Sequence, residues 1–212
     1  MRTLLLVIVT LVAAQAEPTR FKVVRFKDNP IIHAGLKGLE GELGKNINGP
    51  SLIRVPDWIE KPLGKYYLYF AHHNGLYLRL AFADRLEGPW TVHPPGVLHV
   101  DDAPGRGHIA SPDVHVDEAA KEIRMYFHQP PAKGSAAKAQ RTYLALSKDG
   151  LAFAPHKEEL GHAYLRAFSY KGATYGFAMS GIADGVFMRS PDGVKRFEDG
   201  PHCLPKVRHS AL

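Results

Sequence analysis

The 212-residue sequence predicts an all-β fold, a β-propeller with about three blades, and three observations predict it. Helical periodicity is scarce. Short runs rich in Val, Ile, Tyr and Phe alternate with Gly, Pro and Asp turns. Those runs also fall into a unit that recurs with its parts in the same order. The period is roughly 45–65 residues, which suits a blade of about four strands. An irregular β-sandwich is the alternative, since sandwiches also turn every ~8–12 residues.

The clearest strands are expected over residues 51–55, 66–71, 76–83, 114–116, 122–128, 141–147, 163–170, 174–178 and 185–190, with 118–121 as a hairpin loop. Each unit opens on a strand reached through a polar or Pro-containing turn, continues with a Tyr/Phe-rich strand and a third strand ending in Ser or Ala, and closes on a turn and an aromatic. The first unit reads Gly49-Pro50-Ser51-Leu52-Ile53, then Tyr66-Tyr67-Leu68-Tyr69-Phe70, then Leu80-Ala81-Phe82-Ala83, and closes at Trp90. The second reads Ser111-Pro112-Asp113-Val114, then Met125-Tyr126-Phe127, then Thr142-Tyr143-Leu144, and closes at Phe153. The third reads Tyr164-Leu165-Arg166-Ala167-Phe168, then Thr174-Tyr175-Gly176-Phe177, then Val186-Phe187-Met188, and closes at Phe197. Two closing turns share the pattern S-x-D-G, at Ser147-Lys148-Asp149-Gly150 and Ser190-Pro191-Asp192-Gly193. Val207-Arg208-His209-Ser210-Ala211-Leu212 reads as the first strand of a further unit. Three units leave a ring open and a strand edge bare, so a truncated chain is expected, with a completing partner chain as the alternative.

Arg2, the apolar run from Leu4 to Val12 and the small residues Ala14-Gln15-Ala16 read as an export signal over residues 1–16. The run is short for a bilayer span of about 20 residues, although an uncleaved anchor helix is the other reading. Residues 17–45 form a lead-in and 46–212 the propeller domain. A secreted or periplasmic location is expected. The lone Cys203 forms no internal disulfide, so the fold must hold by packing. Lys plus Arg number 27 against 21 Asp plus Glu, a mild excess scattered along the chain. A nucleic-acid surface would concentrate that charge, and none is expected.

The blade pattern resembles that of the five-bladed propellers of glycoside hydrolase families 43, 32 and 117 and their relatives. The likeness is carried by Gly49-Pro50-Ser51-Leu52-Ile53 with Tyr66-Tyr67-Leu68, by Ala110-Ser111-Pro112-Asp113-Val114 with Met125-Tyr126-Phe127, and by the two S-x-D-G turns. It implies about three blades of five, and a carbohydrate-active hydrolase acting on a poly- or oligosaccharide without a cofactor. A non-catalytic glycan-binding or structural propeller is the alternative, because one fold hosts many functions. In those families three carboxylates enter a central pocket, one from the innermost strand of each of three successive blades. One must be ionised to attack or activate water, and another protonated to serve the leaving oxygen.

The resemblance places the supporting aspartate at Asp113. Directly before Pro50, where a base would stand, is Gly49, with Asn48 one residue further back. No Glu lies near Ala163 or Tyr164, where an acid would stand, and Arg166 occupies that strand instead. Asp113 is therefore the candidate catalytic residue, and Asn48, His108, Arg166, Arg208 and His209 are the candidate sugar-binding residues. Each has a plainer reading: Asp113 as a turn aspartate, His108 as a loop histidine able otherwise to share a proton with Asp113, and Arg166 as half of a structural ion pair rather than a bidentate ligand clamp. Asp57, Glu60, Asp101 and Asp102 fall in loops. Trp58 could stack on a sugar, whereas Trp90 reads as packing. His72 and His73 are adjacent but lack the spacing of a metal site, so no metal is expected.

Overall fold

A computed structural model describes residues 22–181 and 184–204. One short helix, α1 (Glu42–Lys45), precedes twelve strands: β1 (Asn48–Arg54), β2 (Tyr66–Ala71), β3 (Tyr77–Ala83), β4 (Thr91–His99), β5 (Ala110–Asp117), β6 (Glu122–Gln129), β7 (Arg141–Ser147), β8 (Ala154–Pro155), β9 (Gly161–Tyr170), β10 (Ala173–Ser180), β11 (Asp184–Ser190) and β12 (Glu198–Leu204). The strands form three antiparallel four-stranded meanders, β1–β4, β5–β8 and β9–β12, and a short pairing of β7 with β9 links the second to the third. The export signal, and the strand expected over Val207 to Leu212, lie outside the described residues.

The strands expected between residues 51 and 190 all form, but the units do not end at their closing aromatics. Trp90, Phe153 and Phe197 each lead into a fourth strand. These fourth strands lacked a sequence signal for a physical reason: β4 contains Pro94-Pro95-Gly96, β8 is two residues long, and β12 contains Gly200-Pro201. Proline and glycine are tolerated there because each strand sits at the outer edge of its meander, where one row of N–H groups has no ladder to feed.

The units stack through two seams. One buried cluster joins units one and two, with Tyr67, Tyr69, Leu78 and Leu80 meeting Ile109, Val114, Met125 and Phe127. A second joins units two and three, with Tyr126 and Leu144 meeting Leu165, Val186, Met188 and Phe197. A third lies under the lead-in, where Leu39 is fully buried against Leu68, Phe70 and Trp90.

Each seam is locked by the same device. Within the S-x-D-G turns, Ser147 Oγ accepts the Gly150 N–H (2.8 Å) and Ser190 Oγ accepts the Gly193 N–H (3.1 Å). Asp149 Oδ1 accepts the Leu151 and Ala152 N–H groups (2.8 and 3.0 Å), and Asp192 Oδ1 accepts those of Val194 and Lys195 (both 2.9 Å). The preceding unit then binds the turn. Tyr69 Oη donates to the Gly150 carbonyl (3.0 Å) and Tyr126 Oη to the Gly193 carbonyl (2.8 Å). Two tyrosines on equivalent strands thus satisfy the carbonyls of two equivalent turns, as buried backbone requires.

Candidate functional site

The first strands of the three units, β1, β5 and β9, lie side by side, and each is bulged at the same place. The register shifts between Asn48 and Ser51, between Ala110 and Asp113, and between the partners of Ala163 and Arg166. At each bulge one residue takes a positive φ: Gly49 (58°), Ser111 (52°) and Tyr164 (59°). Bulges re-aim the side chains that follow them. Two residues on from these three stand Ser51, Asp113 and Arg166, which occupy one repeat position in the three units.

Those three side chains reach across the seams. Ser51 Oγ accepts the Val114 N–H (2.8 Å), and Asp113 Oδ2 accepts the Ala167 N–H (2.8 Å), the same bond one unit later. Asp113 Oδ2 also meets His115 Nε2 at 2.8 Å, and its Oδ1 lies 3.7 Å from Arg166 Nη1. Asp113 is 9% exposed. A buried carboxylate with a backbone donor, an imidazole and a guanidinium around it is a satisfied one. His115 opens onto a 370 Å³ groove in the second seam, lined also by Arg124, Tyr126, Phe168 and Thr174.

The candidate residues fall in different surroundings. Arg166 makes no bidentate clamp; its Nη1 donates to the Pro112 carbonyl at 2.8 Å and holds Asp113 at longer range. The histidine on Asp113 is His115, not His108. His108 instead meets His128 edge-on, with 6.3 Å between ring centres. Asn48 bonds Asn46 Oδ1 (2.8 Å) and lines a 420 Å³ apolar cavity between lead-in and unit one, rather than the Asp113 cluster. Arg208 and His209 lie outside the described residues. His115 was legible in principle: two residues from Asp113 on one strand, it must share that residue's face.

Behind the bulge of β9 is a buried histidine. His128 is 2% exposed, its ring lies 4.2 Å from that of Tyr164, and its Nδ1 has no hydrogen-bond partner among the described residues. Burial first, then the nearby His108, Arg166 and His73, push its pKa down to about 3, so it is neutral near pH 7. His108 is pushed down as well, by burial and then by His73. Gly49 explains why no carboxylate stands before Pro50. A Cβ there would lie 2.9 Å from Ser111 Cα in addition to its positive φ, so the close approach of β1 to β5 demands glycine. Among the described residues no group of three or more His, Cys, Asp or Glu could hold a metal ion, and no helix is long and apolar enough to cross a membrane.

The fold has known counterparts. The chain is similar in structure to a family 117 glycoside hydrolase of the marine bacterium Zobellia galactanivorans, with a TM-score of 0.55 and 21% identity over 80% of this chain and 50% of that one. It is also similar to a family 43 α-L-arabinofuranosidase of Clostridium thermocellum (TM-score 0.56, 16% identity, 76% of this chain and 53% of that one). A family 43 enzyme of Xanthomonas citri complexed with xylotriose gives a TM-score of 0.56 at 13% identity, over 78% of this chain and 59% of that one. The fold is that of the β-propeller glycoside hydrolases of families 117 and 43. In sequence, the chain is 33% identical to an uncharacterised protein of Acanthamoeba polyphaga mimivirus over 211 aligned residues, spanning 90% of this chain but only 57% of that protein. No protein-family model matches the chain.

Proposed function

We propose that the chain is a secreted or periplasmic carbohydrate-active propeller that acts on the glycosidic bond of a poly- or oligosaccharide beside Asp113. The observation that supports this most is the convergence of Asp113, His115 and Arg166 at the bulges of adjacent first strands, on a fold shared with glycosidases. Asp113 would be the supporting carboxylate, holding Arg166 and His115 toward the sugar, with His108, Arg208 and His209 lining the pocket. Glycosidases of the common mechanisms need two carboxylates. The three equivalent positions here hold Ser51, Asp113 and Arg166, only one of them acidic. That observation favours a second reading, in which the same site binds a glycan, particularly an acidic one, without cleaving it. The enzyme reading expects Asp113→Asn to abolish reducing-sugar release while leaving the thermal unfolding midpoint close to that of the parent. Binding without release by the parent chain would establish the second reading, and release undiminished by Asp113→Asn would remove Asp113 from the mechanism.

A further inference from the structure

The second seam is open where the first is filled, and matching positions of the repeat show why. His115 and Arg124 are the counterparts of Ile53 and Tyr67: each pair faces across its strands two residues on from Asp113 or Ser51. Asp117 is in the same way the counterpart of Val55. On the opposite wall, Ala167 receives the bond from Asp113 that Val114 receives from Ser51. Ser169 and Thr174, which pair with each other, are then the counterparts of the paired Val116 and Ile123. In the first seam all six residues are apolar. Ile53, Val55, Tyr67, Val114 and Ile123 are at most 7% exposed in one cluster, with Val116 packed against it. In the second seam every one is smaller or polar, and the 370 Å³ groove takes the place of that packing. Protein interiors are close-packed, so the opening belongs to these six residues and not to the fold.

We propose that this groove binds a single neutral sugar ring at the hairpin end of β5 and β9, the end opposite the bulges. The chemistry of the walls names that ligand. Arg124 is held by Asp117 (2.6 Å), by Glu122 (3.1 Å) and by the Asp192 carbonyl (2.8 Å), so its guanidinium is fixed in place with N–H groups to spare. Asp117 and Glu118 bring carboxylate acceptors, and Ser169 and Thr174 bring hydroxyls. Phe168, 41% exposed, brings a ring face. Donors and acceptors beside one aromatic surface match the hydroxyls and the C–H face of a sugar. Asp117 and Glu118 stand against the one guanidinium of Arg124, which disfavours an anion. The volume lies near the low end of the roughly 300–1,000 Å³ usual for small-molecule sites, which suits one ring rather than a chain of them. The site does not depend on Asp113 acting at a glycosidic bond, although His115 forms its inner end and touches Asp113 at 2.8 Å.

Methyl NMR of the full chain, observing Ala167 and Thr174, tests this with glucose, galactose, mannose and xylose, and with glucuronic acid as the charged comparison. At least one neutral sugar should move both signals saturably, and glucuronic acid should leave them in place. Ser169→Val with Thr174→Ile refills the groove with residues like those of the first seam. That variant should lose the Ala167 shift while its thermal unfolding midpoint stays at or above that of the parent. Should it unfold, Ser169→Ala decides instead, because its exposed position spares the fold, and it should weaken binding several-fold. Arg166→Met, at the bulges, should leave the shift in place. The proposal is overturned by neutral sugars without effect on the parent, by a larger response to glucuronic acid, or by binding equal in the parent and in the deciding variant. A shift lost in Arg166→Met and kept in the refilled variant also overturns it, and places the sugar beside Asp113 as in the proposed function.

Discussion

His128 shows how a single residue ties this site to pH. It sits neutral between Tyr164 and His108 with its pKa pushed down to about 3, first by burial and then by His108, Arg166 and His73. In the unfolded chain an imidazole titrates near 6.5, so between roughly pH 6.5 and 3 the unfolded state binds the extra proton. Stability is therefore complete above about pH 6.5 and falls as the pH drops toward 3, by up to ~4 kcal/mol. Urea titrations across that window should show a steep acid loss in the parent and a flatter profile in His128→Asn. Parallel profiles would place the titration elsewhere. At this scale the sequence was half legible. Asp113 and Arg166 were found as neighbours because each follows a turn at the same place in its unit. Their real partners, a backbone carbonyl for Arg166 and His115 for Asp113, depend on how far each bulge turns the strand, which residue types alone do not encode.

At the scale of elements, the S-x-D-G turns were legible because their hydrogen bonds are local. Ser and Asp satisfy the backbone within five residues, as such side chains do in turns. In the second of these turns the N–H of Lys195 above all, against the opposing effect of burial, and then the N–H of Val194, the Lys195 charge and Ser190 hold Asp192 below its usual carboxylate range. What the local pattern hid is the tyrosine of the preceding unit. A Cβ at Gly193 would meet Tyr126 Oη at 2.6 Å and Thr174 Oγ1 at 2.8 Å, at a φ of 74°. Gly193→Ala should cost about 2 kcal/mol or more from left-handed strain and collision. Tyr126→Phe alone should cost about 1 kcal/mol, the value of one hydrogen bond. The double variant should be more stable than the two losses added together, since removing the hydroxyl relieves part of the clash. Chemical denaturation of the four proteins measures this coupling, and strict additivity would mean that tyrosine and turn do not touch. The fourth strands escaped the sequence because edge position, not composition, permits their prolines.

Over the whole molecule, the three-unit repeat was legible and the lead-in was not. Nothing in residues 22–47 suggests an anchor, yet Arg79 of β3 supplies one. Buried at 2% exposure, it donates to the carbonyls of Leu43 (2.6 Å), Asn46 (2.7 Å) and Ala71 (2.6 Å), with its guanidinium 4.6 Å from the Phe70 ring centre. Arg79→Met would leave three carbonyls without their donor, a loss of about 3 kcal/mol or more. Limited proteolysis should then cut within residues 22–47 well before it cuts the strands, whereas the parent should resist at both. Cleavage at equal rates in parent and variant would show that Arg79 does not hold the lead-in.

In the proposed function a sugar meets the Asp113–Arg166 cluster, and the imidazole nitrogens of His115, which touches Asp113, and of His128, which feels the Arg166 charge, report on it. Nitrogen-detected NMR of the full chain, titrated with neutral and acidic oligosaccharides, observes both directly. One class of oligosaccharide should shift the His115 and His128 signals saturably, and Arg166→Met should remove the shift while the spectrum stays dispersed. Signals unmoved by every sugar, or equal shifts in parent and Arg166→Met, would contradict the proposed function.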